Sequence, residues 1–457
     1  MRDTIVALAT PLGRSGIGMI RLSGADSLLL ARALSGNPEF SPRPRTSSLR
    51  TLFDPATHEV IDEAIITYFK APNSFTREDV IEISCHGSPI VLRQVIDICL
   101  SLGARMADPG EFSLRALANG RMNLAEAEAI RDLIDAQTKA TARQAIRQLE
   151  GEFSNQLTPI KDELLNVIVV LESALEFVED DLPEFQASRI RAGMTRISVE
   201  IAQIASTYQA GKLLREGISV ALVGRPNVGK SSLFNALLGT DRAIVTEIAG
   251  TTRDQLLERF TINDIPISLI DTAGLRETAD TVESIGVARS RKTMADADLV
   301  VVLLDASEPI GPEDREIIES VKELDHLVVL NKIDKIEMNG KSSVWSAVDP
   351  TVPGDAIKIS AKTGMGLDDL KNALIEPLGI DDRDVSGFLV SDARHFDLLN
   401  RAHKEVENSI LEMDKGLSEE IVLVGLHNAL RFLGQITGET TNEDMLTRIF
   451  STFCIGK

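Results

Sequence analysis

Gly224-Arg-Pro-Asn-Val-Gly-Lys-Ser231 sets two glycines and a Lys-Ser pair at the spacing of a phosphate-binding loop. The apolar run Ile218–Val223 precedes it and the helical stretch Ser232–Leu238 follows. Glycines let such a loop wrap an anion, so that backbone N–H groups and a helix N-terminus face it. Lys230 would then reach the β and γ phosphates of a nucleotide, and Ser231 would offer its hydroxyl oxygen to Mg2+. A glycine-rich turn that binds nothing is the bland alternative, and the complete spacing between strand and helix sets it aside. Farther along, Gly250-Thr-Thr-Arg-Asp254 offers threonines for Mg2+ and the γ-phosphate, and Asp271-Thr-Ala-Gly274 a carboxylate for the metal shell and a glycine amide for the γ-phosphate. Asn331-Lys-Ile-Asp334 ends a strand. The Asp334 carboxylate can accept both N–H groups on one edge of guanine, a donor pair adenine lacks, and Ser360-Ala-Lys362 would close over the base. The expected ligand is therefore GTP and not ATP.

One position departs from the pattern of Ras-type GTPases. Leu275 stands where those carry a water-orienting Gln, and it can neither position water nor stabilise charge. Either hydrolysis is negligible or another group acts. Of Arg276, Glu277 and Glu283, only Glu283 is far enough along to swing in as a base acting through a water; by its own chemistry it reads as an exposed glutamate at a helix start.

The elements that must position these groups change character along the chain. Residues 1–118 mix β-rich segments (Thr4–Ala9, Gly18–Leu22, Ala64–Phe69, Val80–Ser84) with two helices, one opened by a Ser23/Asp26 capping box and one over Pro89–Leu102; this reads as an α+β domain. From 119 to 216 the pattern is helical. Thr158-Pro159 is expected as an N-cap and first-turn proline, and an apolar stripe runs through Ile190, Met194, Ile197, Ile201, Ile204 and Tyr208. Residues 217–379 alternate short strands with helices, as in a mostly parallel, doubly wound sheet. Residues 380–457 return to helical periodicity through Phe396, Leu399, Val406, Ile410, Ile421, Val424, Leu430, Leu433 and Ile436. The arrangement implied is a Ras-like P-loop domain inserted into a helical domain split in sequence, behind an N-terminal α+β domain.

Composition limits the partners. Forty-eight Lys and Arg against 69 Asp and Glu give a formal charge of −21, which argues against a grip on nucleic acid through a broadly basic surface. The 3 cysteines, Cys85, Cys99 and Cys454, lack the spacing of a disulfide framework or zinc site. No leader-like or membrane-spanning stretch is seen, so a cytoplasmic location is expected.

Several motifs outside the nucleotide-binding set carry a closer resemblance. They are Asp3-Thr-Ile-Val-Ala-Leu-Ala-Thr-Pro, Gly16-Ile-Gly-Met-Ile-Arg-Leu-Ser-Gly24, Asn73-Ser-Phe-Thr-Arg-Glu-Asp79, His86-Gly87, Pro109-Gly-Glu-Phe-Ser113, Asn123-Leu-Ala-Glu-Ala-Glu-Ala129 and Cys454-Ile-Gly-Lys457. Together they resemble the tRNA modification GTPase MnmE (TrmE) family end to end. The resemblance implies a homodimer through the N-terminal domains. It also implies work with an FAD-dependent MnmG-type partner, in a heterotetramer, to add an aminomethyl or carboxymethylaminomethyl group at carbon 5 of a tRNA wobble uridine. The one-carbon unit would come from a tetrahydrofolate derivative, 5-formyl or methylene.

The family's folate site matches Arg21, Glu82 and Lys457, with Arg121 where many members have Lys. Without the resemblance, Arg21 and Glu82 read as surface charges on strands. The family's G domains dimerise with K+ bound, and the K+ ligands match Asn227, Thr246, Ile248 and Thr251, while Thr252 matches a Mg2+ ligand beside Ser231. Glu283 matches the catalytic glutamate, which reverses its reading above. The full GTP contact set so expected is Asn227, Val228, Gly229, Lys230, Ser231, Ser232, Thr246, Glu247, Ile248, Ala249, Gly250, Thr251, Thr252, Asp271, Thr272, Ala273, Gly274, Asn331, Lys332, Asp334, Ser360, Ala361 and Lys362, with Lys230 and Glu283 as catalytic groups. The competing reading is a regulatory ribosome-assembly or RNA-binding GTPase that modifies nothing.

Overall fold

The computed structural model describes residues 3–176, 184–240, 257–271, 297–338, 352–376, 387–441 and 443–456. By their internal contacts the residues group into two compact units: Met1–Ile134 with Arg147–Ile197 and Lys404–Lys457, and Asp135–Ile146 with Ser198–His403.

In the first unit, β1 (Ile5–Leu8), β2 (Ser15–Ser23), β3 (Ser47–Phe53), β4 (Val60–Phe69), β5 (Val80–Gly87) and β6 (Arg105–Met106) form one sheet in the order β3-β4-β5-β2-β1-β6. All neighbours are antiparallel except β1 and β6. Strand side chains alternate between faces. Ile20 and Leu22 of β2 and Ile81, Ile83 and Cys85 of β5 therefore enter one core with Leu30 and Leu34 of the helix Ser27–Leu34 and Leu92, Val95 and Cys99 of the helix Pro89–Ser101. The same alternation turns Arg21 and its register partner Glu82 to the opposite face.

Three details differ from the sequence expectation. The Ser23/Asp26 capping box does not form: Asp26 makes no side-chain cap, and the Ser23 hydroxyl instead meets Thr76 Oγ1 at 2.6 Å and donates to Glu78 Oε2 at 2.7 Å. Pro159 does not begin a helix but lies inside Glu152–Glu176. Phe153 and Leu157 are fully buried ahead of it, and that packing carries the helix through a residue that cannot donate a backbone hydrogen bond. On the helix Glu419–Thr437 the buried face is Val422, Leu426, Ala429, Leu433 and Ile436, whereas Ile421 and Val424 are exposed. Leu433 and Ile436 are buried as expected, and the difference is confined to the first turns, where Val422 and Leu426 take the inward positions expected for Ile421 and Val424.

In the second unit, β7 (Ile218–Val223), β8 (Leu257–Ile262), β9 (Ile265–Asp271), β10 (Leu299–Asp305), β11 (His326–Asn331) and β12 (Ile357–Lys358) form a sheet in the order β12-β11-β10-β7-β9-β8. It is parallel throughout except for β8 against β9. β10 is buried along its whole length, as a central strand covered on both faces must be. The helices Lys230–Thr240 and Leu367–Ile375 contribute Leu233, Leu237, Leu370 and Leu374 to one core, and the helix Pro312–Ser320 contributes Ile318 to the other. The chain segments on either side of this sheet are tied together: Val390 N donates to Thr207 Oγ1 at 3.0 Å, and Arg215 Nη1 to Asp392 at 2.9 Å.

The α+β domain, the helical segments on both sides in sequence and the inserted doubly wound sheet match the expected fold class. β3, β6 and β8, all at sheet edges, were not foreseen.

Candidate functional site

The sheet order changes direction at β7: the chain continues to β9 on one side and to β10 on the other. Ligands of open α/β sheets sit at such a switch point, beyond the carboxyl ends of the strands. Val223, Asp305, Asn331 and Lys358 close β7, β10, β11 and β12 at that edge, and each precedes a predicted motif or joins it.

The phosphate-binding loop is shaped by what lies behind it. A Cβ on Gly229 would stand 2.3 Å from Asn331 Nδ2, and one on Gly224 2.4 Å from the Leu303 carbonyl, so only glycine allows the loop this close approach. Asn331 is 2% exposed and bridges two loops, donating to Val228 O at 2.9 Å and accepting from Ala361 N at 3.0 Å. Lys332 Nζ donates to Asn227 O and to Asp305 Oδ2, both at 2.6 Å. Asn227 and Lys332 both have positive φ, 64° and 67°. Asn tolerates that region and Lys does not favour it, so the two bonds from Nζ hold a backbone that would otherwise relax. Ser360 Oγ donates to Asp334 Oδ1 at 2.7 Å, which fixes the carboxylate expected to read guanine. Lys230 Nζ, at the start of the helix Lys230–Thr240, donates to the loop's own Gly224 and Arg225 carbonyls at 2.6 and 2.9 Å.

Asp305 went unnoticed in the sequence. It is 5% exposed, and burial pushes its carboxyl up, but bonds from Lys332 and Ser307 outweigh this and hold it below the ordinary carboxylate value. Its only signal was an acid closing a fully apolar strand. Ser231, Ser232, Lys362 and Asn227 are exposed at this edge and Val228 is buried. Thr246, Glu247, Ile248, Ala249, Gly250, Thr251, Thr252, Thr272, Ala273, Gly274 and Glu283 lie outside the described residues, and of Asp271 only the strand backbone is described.

A second cluster forms in the first unit. Arg21 gives two bonds to Glu82 Oε1, at 3.0 and 2.8 Å, and a third to the Gly456 carbonyl at 3.0 Å. Its guanidinium carbon lies 5.9 Å from the Phe75 ring centroid and 5.8 Å from that of Phe112; the Arg121 guanidinium lies 5.7 Å from Phe75. Arg121 Nη1 donates to Ser74 O at 3.0 Å. Three of the four residues expected for folate are thus gathered around one aromatic ring beside the tail, and Lys457 lies outside the described residues. The aromatic pair was missed, although Phe75 and Phe112 both sit in motifs quoted above.

In the same domain, Arg115 is 1% exposed and bonds Asp3, Glu78 and Glu111. Burial raises the Glu111 carboxyl, and bonds from Arg105, the Asp108 amide and Arg115 bring it below its ordinary value.

A P-loop on a doubly wound sheet, with an Asn-Lys-x-Asp motif held against it, defines a GTPase domain of the P-loop class. Comparison with known proteins narrows this. Residues 4–121 match the family described as GTP-binding protein TrmE N-terminus, and residues 124–454 that described as MnmE helical domain. The tRNA modification GTPase MnmE of Koribacter versatilis is 44% identical, with 100% of this chain and 99% of that protein covered. That of Aquifex aeolicus is 41% identical, with 100% of both covered. Among solved structures, Aquifex aeolicus Era bound to GDP and AlF4− is 31% identical over 41% of this chain and 66% of its own, at a TM-score of 0.28. The FeoB G domain of Methanococcus jannaschii is 28% identical over 36% of this chain and 98% of its own, at a TM-score of 0.27. The chain belongs to the tRNA modification GTPase MnmE family.

Proposed function

We propose that the chain is the GTP-hydrolysing subunit of a tRNA-modifying assembly. With an FAD-dependent partner and a tetrahydrofolate one-carbon donor, it adds an aminomethyl or carboxymethylaminomethyl group at carbon 5 of the wobble uridine. Division of labour follows the sequence: 1–118 for folate and homodimerisation, 119–216 and 380–457 as the helical connector, 217–379 for GTP.

In the G domain, Asp334 accepts the guanine N–H pair, with its orientation fixed by Ser360. The close glycine loop presents N–H groups to the phosphates, and Lys230, once it leaves the Gly224 and Arg225 carbonyls, offsets charge building on the leaving phosphate. Ser231 and Thr252 would hold Mg2+, and Asn227 with Thr246, Ile248 and Thr251 would hold K+, which supplies positive charge where other GTPases use an arginine. Glu283 orients the attacking water. Of these ligands only Ser231 and Asn227 fall within the described residues, and both are exposed at the loop.

The observation that carries the modification reading over that of a purely regulatory GTPase is the Arg21 cluster. Guanidinium groups on an aromatic ring, with Glu82 fixed beside them, suit a flat fused-ring ligand that ends in carboxylates. Nucleoside mass spectrometry of tRNA from a strain lacking the chain tests it. The expected result is loss of the carbon-5 substituent at wobble uridines; an unchanged profile overturns the reading, whatever the GTPase activity.

A further inference from the structure

Charges in the segment 70–79 are sorted by sign. Its two acids turn toward the body of the domain. Glu78 accepts from buried Arg115 at 3.1 Å, and Asp79 Oδ1 accepts from the Tyr68 hydroxyl and the Ala71 amide, both at 2.9 Å. Its cations, Lys70 and Arg77, are exposed.

Two more exposed cations are fastened to the same segment. Arg45 donates to no carboxylate among the described residues; its backbone N–H donates to Tyr68 O at 2.7 Å and its Nη2 to Asn73 O at 3.1 Å. Arg121 donates to Ser74 O. Arg77 in turn donates to Asn119 O at 3.0 Å, and Asn119 Nδ2 to Thr76 O at 2.6 Å, so the turn carrying Arg121 is sewn to the loop.

Among the described residues, no carboxylate lies within 4.0 Å of Arg45, Lys70, Arg77 or Arg121. Elsewhere in the same unit, arginines such as Arg105, Arg115 and Arg191 hold carboxylates. A guanidinium pinned by a carboxylate is neutralised. One pinned by a carbonyl keeps its charge, loses side-chain freedom, and has donors left for a second, anionic partner. In a chain of net charge −21, these four unneutralised cations gather on the segment that carries Phe75 and on the turns bonded to it, with Arg121 over the Phe75 ring itself.

We propose that this rim holds the phosphate backbone of the tRNA beside the Arg21 and Phe75 cluster. The proposal rests on the tRNA-modifying reading above and locates the RNA contact within it. Four phosphate contacts make binding weak and give a log–log salt slope of about −3, at roughly 0.7 to 0.9 per contact.

The test is fluorescence anisotropy of an unmodified tRNA transcript with the full-length chain, from low to physiological salt, for the native chain and the double variant Lys70→Glu with Arg77→Glu. Lys70→Glu alone is the control for folding, since the Lys70 side chain bonds nothing among the described residues and its carbonyl, which accepts from Asn73 N at 2.9 Å, is unchanged by the substitution. The expected result is a loss of affinity of about tenfold or more at low salt and a slope shallower by about 1.5, at the same roughly 0.7 to 0.9 per cation removed, with GTP hydrolysis unchanged. Unaltered affinity and slope in both variants, or no tRNA binding by the native chain at low salt, overturns the proposal. So does weakened binding of a polyglutamylated folate with tRNA binding intact, which would give the rim to the folate's anionic tail. These readouts report binding and not modification, so they fail separately from the mass-spectrometric test.

Discussion

The nucleotide loop and the Arg21 cluster differ in how their parts are brought together. Around the loop, partners come from short contiguous motifs at successive strand ends, and hydrogen bonds between those motifs complete the site: Asn331 to Val228, Lys332 to Asn227, Ser360 to Asp334. Around Phe75, Arg21 meets Glu82 across a strand pair and Gly456 across 435 residues of chain. The first kind of site can be read from spacing. The second depends on sheet register and on where the tail lands. Both regions also hold a cation on a buried carboxylate: Asp305 for Lys332 at the nucleotide loop, and Glu111 for Arg115 in the domain that carries Arg21.

The largest effect is expected where one side chain alone reads the ligand. Replacing Asp334 with Asn keeps an acceptor for Ser360 but puts an N–H2 toward the N–H pair of guanine. GTP affinity should fall by about 10²-fold or more, because a site built for a hydrogen bond rejects a mismatched edge strongly. Xanthosine triphosphate, with a carbonyl where guanine has its amine, should gain. Calorimetric titration of the two nucleotides decides it, and equal affinities before and after the change would show that Asp334 does not face the base.

Phe75→Ala probes the other site, where the load is shared. Arg21, Glu82 and Arg121 keep their partners, and only the ring between the guanidinium groups is lost. Binding of a reduced folate should weaken about tenfold, the scale of an aromatic and cation–π contact together, with GTP hydrolysis untouched. Parallel loss of both activities would mean the ring supports the fold and not a ligand.

The same contrast explains how much was legible in advance. Apolar runs gave β1, β2, β4, β5, β7 and β9–β12; all but the two-residue β12 are buried on at least one face, and β12 runs into the fully buried Ile359. β3, β6 and β8 escaped because polar residues break their apolar pattern or the strand is too short to show one: Ser47, Ser48, Arg50 and Thr51 in β3, the two exposed residues Arg105 and Met106 in β6, and Glu258, Arg259 and Thr261 around the buried Phe260 and Ile262 of β8. The helix Glu419–Thr437 was foreseen together with its buried Leu433 and Ile436, but not the inward face of its first turns, where apolar residues stand on several sides. Lys230, Asn331 and Asp334 were legible as chemistry. Arg21 and Glu82 were legible only through resemblance, since period-2 alternation says that they share a face and nothing about what else lies on it. Phe75 and Phe112 were unreadable for the same reason.

The smallest effect separates the two buried carboxylates. Asp305, Glu111 and Asp3 all sit below their ordinary values in the folded chain. A depressed carboxyl contributes stability that is fully present above its unfolded pKa, near 4, and is lost as pH falls through the folded value. Acid should therefore weaken both supports below about pH 4 and leave them alone between pH 5 and 8. Asp305→Asn removes the charge from one. Lys332 keeps Asn227 O but loses its ion pair, at a cost of about 1 to 3 kcal/mol at neutral pH. Because the variant has no carboxyl to protonate there, its stability should fall less than the native chain's from pH 5 to pH 3, and the two denaturation midpoints should converge. Midpoints that stay parallel across that range would mean Asp305 is protonated alike in folded and unfolded chains. The charge on Asp305 would then gain nothing net from Lys332 on folding, and the likeness between the two sites would end at their geometry.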